Sequence, residues 1–119
     1  MAQKRIYKIL RPAEWAHLNE AGYFAGSPDD MRDGFIHFST LEQLPGTLVK
    51  YYTDGEDVFI AAVAVSTFTD SELVYEASRG GALFPHLYAD LSQTQIVQFW
   101  QLSADADGVY DISGIGSHA

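Results

Sequence analysis

The residues able to do chemistry fall into three short stretches. His37 stands in Phe35-Ile36-His37-Phe38-Ser39. Alternate side chains of a strand share a face, so Phe35, His37 and Ser39 project one way and Ile36 and Phe38 the other. With Ile36 and Phe38 in the core, His37 and Ser39 point together into a cleft or solvent. Such a histidine can orient a ligand or exchange protons near neutrality. The alternative is a hydrogen-bonded structural histidine. Glu76 follows Leu73-Val74-Tyr75 and shares a face with Val74. A carboxylate there can hold a ribose hydroxyl, stabilise a cationic transition state or act as a base. The alternative is a solvated strand end. In Phe84-Pro85-His86-Leu87-Tyr88, aromatic residues and a proline flank a histidine. Aromatic walls with a few polar tips are typical of small-ligand pockets, and the alternative is an aromatic core corner. His17 on a helix face and His118 near the end are given no role.

These residues need elements to position them. Arg5–Leu10 reads as a first strand and Pro12–Glu20 as a helix, with Pro12 in its first turn, Gly22 after its end, and Trp15 and Leu18 on one face. Residues 26–34 read as a polar loop rich in turn formers. Residues 34–39 read as a strand. Thr40 with Gln43 suggests a capping box opening a helix over about 41–52, in which Pro45 and Gly46 imply an irregular first turn or a later start. Val58–Ser66 is nearly all apolar and reads as a central strand buried on both faces. Leu73–Ala77, Leu83–Tyr88 and Ile96–Leu102 read as further extended segments, and residues 78–82 as a flexible loop. The expected organisation is one domain over 1–103 and a fraying tail over 104–119. The order of elements is that of an α+β domain. Neither GxGxxG nor a P-loop is present.

Composition narrows the function. The chain has 119 residues, no cysteine and a net charge of −9 from 16 acidic and 7 basic residues. Its length suits one domain with a real core. Without cysteine, disulfides, thiolate metal sites and thiol nucleophiles are excluded. The cations, Lys4, Arg5, Lys8, Arg11, Arg32, Lys50 and Arg79, are scattered. Nucleic-acid and anionic-membrane partners are therefore disfavoured, since both need a basic stripe. No signal-like apolar run opens the chain, and the longest apolar stretch falls far short of the ~20 residues of a membrane span. A cytoplasmic location is expected. His37, Glu76 and His86 also have the composition of a two-histidine, one-carboxylate metal triad, but no close spacing such as HxH supports it, and no metal is assigned.

The same stretches carry a resemblance. Ile6-Tyr7-Lys8-Ile9, Trp15, Gly22-Tyr23, residues 34–39, Gln43, Tyr75-Glu76 and residues 84–88 resemble the bacterial domain-of-unknown-function family 952 over roughly residues 5–102. Phe38 stands where many relatives have a cysteine, which argues against an essential thiol there. The resemblance implies an ADP-ribosyltransferase-like fold of split antiparallel sheets around an NAD-binding cleft, with two short helices early in the chain. On that likeness Glu76, His37 and His86 are the candidate catalytic residues and Lys8, Ser39, Phe84 and Tyr88 the candidate ligand-binding ones. Lys8 would meet phosphate or ribose, His37 and Ser39 would orient the nicotinamide, and Phe84 or Tyr88 would stack on a ring. No cofactor is assigned, and NAD is the candidate substrate for binding, transfer or glycohydrolysis. A partner-binding or structural module is the other reading.

Overall fold

The computed structural model describes residues 4–115. Eight strands and three helices follow in the order β1 (Arg5–Leu10), α1 (Pro12–Ala21), β2 (Tyr23–Phe24), α2 (Pro28–Asp33), β3 (Ile36–His37), α3 (Leu44–Tyr51), β4 (Val58–Ala64), β5 (Leu73–Ala77), β6 (Leu83–Leu87), β7 (Leu91–Ser92) and β8 (Ile96–Leu102). They form an α+β domain with three small sheets, ordered β1-β4-β8, β3-β6-β5 and β2-β7. Every pairing within the sheets is antiparallel.

β4 is the central strand that its apolar sequence requires. Phe59, Ala61 and Val63 face one core, and Val58, Ile60 and Ala62 face a second. β1 alternates in the same way. Ile6 and Leu10 enter the first core with Ile36, Phe38 and Leu87, while Tyr7 and Ile9 enter the second with Leu44 and Leu48. Lys8 lies in the row of Ile6 and Leu10, so strand geometry forces a charged side chain inward. Only 4% of Lys8 is exposed.

The two three-stranded sheets meet at one point. Tyr7 and Ser39 exchange two backbone hydrogen bonds of 2.8 Å, while the Phe38 amide donates to the Pro85 carbonyl at 2.9 Å. The chain thus steps from the second sheet to the first between Phe38 and Ser39. For this reason only Ile36–His37, and not the whole of 34–39, is a regular strand.

One expectation is corrected. Residues 26–34 contain helix α2, not only loop. Ser27 is its N-cap, Pro28 opens its first turn, and Gly34 closes it in a left-handed conformation. The Ser27 hydroxyl accepts from the Asp30 amide, and the Ser27 amide donates to Asp30 Oδ2. Helix α3 begins at Leu44, the later of the two starts that Pro45 and Gly46 imply. Thr40 keeps half of the expected capping box, its amide donating to Gln43 Oε1 at 3.0 Å, and Pro45 sits where a proline is tolerated, in the first turn. Residues 104–115 of the expected tail lie against the second core. Ala104 bridges Tyr110, and Tyr110 and Ile115 are buried in the second core. Residues 116–119, the rest of that tail, lie outside the described residues. The loop over 78–82 holds a short 3-10 turn at Arg79–Gly81.

Candidate active site

A cleft of about 200 Å³ opens beside the junction of the two sheets. Lys8, His37, Ser39, Phe84 and His86 all line it, so five of the seven predicted residues converge. Strand register explains this. His37 is paired directly with His86 across β3 and β6. The two imidazole rings lie 5.6 Å apart, edge to face. On the other side of β6, Val74 opposes His86 and Glu76 opposes Phe84. Glu76 is therefore the diagonal neighbour of His86, within reach of a long side chain.

Two hydrogen-bonded groups result. In the first, Glu76 Oε1 lies 2.7 Å from His86 Nδ1, and the Tyr88 hydroxyl donates to the same oxygen at 2.7 Å. These bonds, Tyr88's the larger, hold the Glu76 carboxyl below its ordinary range, and the carboxylate in turn raises the Tyr88 phenol. The Phe35 ring stacks on His86 at 3.9 Å between centroids.

The second group was hidden in the sequence. Lys8 Nζ pairs with Asp30 Oδ2 at 2.9 Å, and His37 Nδ1 lies 2.6 Å from Asp30 Oδ1. His37 Nε2 lies 3.0 Å from Asp33 Oδ2, and Arg32 bonds both Asp33 and Asp29. Lys8, Asp30, His37, Asp33, Arg32 and Asp29 thus form a chain of alternating sign when His37 is protonated. A carboxylate only accepts, so just the imidazolium form can donate to both of its neighbours at once. Burial alone would raise the Asp30 carboxyl. The hydrogen bond from His37, the charge of Lys8 and the Ser27 amide outweigh it and hold Asp30 well below the usual carboxylate range.

Gly26 makes room for this arrangement. Its φ is +135°, and a Cβ there would lie 2.8 Å from Asp30 Cβ. Gly26→Ala is expected to destabilise the fold by ~1–3 kcal/mol through overpacking and backbone strain. A thermal melt reads this, and an unchanged melting temperature contradicts the tight fit.

Three expected roles change. Lys8 lines the cleft but is neutralised by Asp30, so it is not a free cation waiting for phosphate. Glu76 does not line the cleft, because its carboxylate is folded onto His86 and Tyr88. Tyr88 is 45% exposed and stands behind Glu76, not on the cleft wall. Sequence reasoning missed Asp30 and Asp33. The available signal was Ser27-Pro28-Asp29-Asp30, an N-cap serine, a first-turn proline and an acidic third residue. The buried and half-buried tyrosines Tyr7 and Tyr52 also line the cleft, and burial pushes the phenol of Tyr52 far above its usual value. Among the described residues, no group of three or more histidine, aspartate or glutamate side chains is arranged to hold a metal ion. No helix among them is long and apolar enough to cross a membrane.

The fold and site define an α+β protein with a histidine-paired cleft between two antiparallel sheets. Residues 9–99 match the family described as protein of unknown function (DUF952), and the chain belongs to that family. The structure is similar to the crystal structure of protein CC0527 from Caulobacter crescentus, with 40% identity, a TM-score of 0.86, and coverage of 93% of this chain and 96% of that one. The solution NMR structure of CC0527 is similar at 39% identity and a TM-score of 0.83, covering 97% and 98%. No curated protein matches the chain.

Proposed function

We propose that this chain is an ADP-ribosyltransferase-like protein whose cleft binds NAD or a related nucleotide-like molecule and catalyses cleavage of its glycosidic bond. The observation that carries the reading is the pairing of His37 with His86 across β3 and β6, inside one cleft at the split between two sheets. Ligand clefts form where sheets diverge, with apolar walls and a few fixed polar groups. Here the walls are Phe84, Tyr51 and Tyr52, and the polar groups are His37, Ser39 and His86.

Size and charge narrow the fit. About 200 Å³ is less than the ~300–1,000 Å³ of a pocket that encloses a drug-sized ligand. The cleft therefore takes one end of a dinucleotide, with the remainder along the surface. The wall carries Asp29, Asp30 and Asp33 against Lys8 and Arg32, so with His37 neutral it holds one carboxylate in excess and favours a cationic end over a phosphate. The nicotinamide ring of NAD is cationic and planar, and suits both the carboxylates and the aromatic walls.

Binding stabilises a folded protein by RT ln(1 + [L]/Kd), ~2.7 kcal/mol at a hundredfold excess over Kd. NAD at that excess is expected to raise the melting temperature of the full chain by several degrees, because ~1 kcal/mol moves a small domain by about 4–8 °C. ADP-ribose, which lacks the cationic ring, should shift it less. No shift with either at millimolar concentration removes the nucleotide reading and leaves the partner-binding one.

A further inference from the structure

His86 has a nitrogen that the protein leaves unused. Its side chain is 4% exposed, and Nδ1 is bound to Glu76 Oε1. The Glu76 carboxylate can only accept, so in the neutral ring the proton is on Nδ1 and the lone pair on Nε2. His86 Nε2 is buried and has no hydrogen-bond partner among the described residues. Leaving a buried acceptor unpaired is costly, and folded proteins keep few of them.

The neighbours do not supply the partner. Phe35 covers a face of the ring, whereas the lone pair lies in the ring plane at its edge. His37 is committed to Asp30 and Asp33 through its two nitrogens. Ser39 Oγ lies against Thr47 Oγ1 at 3.4 Å. What Nε2 needs is an O–H or N–H from outside the protein, and His86 lines the cleft from which one would come.

We propose that His86 Nε2 is the general base of this site, that its acceptor is water, and that Glu76 is a positioning residue and not the group that holds ribose. The inference rests on the NAD reading above and makes the reaction a hydrolysis. Water gives a proton to Nε2 while its oxygen bonds to the anomeric carbon of the ribose. The bond from that carbon to the nicotinamide nitrogen breaks, and its electron pair leaves with the ring, which departs neutral. The imidazolium is stabilised by Glu76 until its proton passes to solvent. Nothing is oxidised or reduced. A base oriented by a carboxylate on its far nitrogen is the general arrangement for activating a weak nucleophile.

Two measurements on the full chain test this separately from NAD binding. Nitrogen-15 spectra of histidine-labelled protein are expected to show His86 as the Nδ1–H tautomer, and Glu76→Gln to lose that fixed tautomer. An Nε2–H tautomer in the unmodified protein overturns the proposal. With NAD as the probe, nicotinamide release is expected to yield free ADP-ribose. Glu76→Gln should lower kcat by about 10²–10⁴-fold, the usual worth of general acid–base catalysis, with KM little changed. Full kcat in Glu76→Gln, with NAD still bound, overturns the base assignment and leaves the binding reading standing. Failure of NAD to bind overturns the hydrolysis together with that reading, and the tautomer alone then decides whether the dyad is built as described.

Discussion

Asp30→Asn is expected to destabilise the folded chain by ~3–5 kcal/mol, the penalty for breaking a buried ion pair from one side. Asp30 and Lys8 have side chains only 2% and 5% exposed, so neither charge has water to fall back on. Asp30 also accepts from the Ser27 and His37 amides and lies against the His37 ring, so its loss loosens α2 and β3 together. At about 4 °C per kcal/mol, the melting temperature falls on the order of 12–20 °C. If the single variant does not fold, the double variant Lys8→Met with Asp30→Asn keeps the test alive. It removes the stranded ammonium and is expected to recover part of the loss. A single variant as stable as the unmodified chain contradicts the account.

The same carboxylate sets an acid limb. A group held below its ordinary value adds stability that is complete above its unfolded value of ~3.9 and is lost as pH falls toward the folded one. Stability should therefore drop steeply below about pH 4. Asp30→Asn should flatten that limb, as followed by unfolding in denaturant at a series of pH values.

The second large effect concerns binding. His37→Ala and His86→Ala are each expected to abolish the NAD-induced stabilisation, up to the whole ~2.7 kcal/mol available at a hundredfold excess. His86 is 3% exposed, so its truncation also removes packing under Phe35. His86→Gln, of closer volume, is the control for that loss. His37 is partly exposed at the cleft, and His37→Ala leaves the Lys8–Asp30 pair in place. Retention of the full thermal shift in both alanine variants would place the ligand elsewhere.

The sequence made strands visible wherever a period was long enough. β1, β4, β5, β6 and β8 stood close to their final limits because alternation or an unbroken apolar run marked them. His37 and His86 were legible for the same reason: each sat in a strand with apolar neighbours aimed the other way. Helix α2 escaped because six residues, PDDMRD, show no apolar stripe, and its evidence lay in a cap. Asp30 escaped with it. Its partner Lys8 is 22 positions away, and only the fold brings the two together. Glu76 was legible as a candidate, but its role depended on the β5–β6 register, which makes it the diagonal neighbour of His86. The packing of residues 104–115 is not legible because Tyr110 and Ile115 are isolated apolar residues. They became core only where Val58 and Ile60 present a face to receive them.

The cleft between the sheets is proposed as a nucleotide site. Amide proton–nitrogen spectra of the full chain, titrated with NAD, test it most directly. Saturable shifts are expected at the amides of Lys8, Ser27, His37, Ser39, Ser78 and His86, with β8 unmoved. No shift at millimolar NAD, or shifts centred on β8 or on residues 104–115, would contradict it.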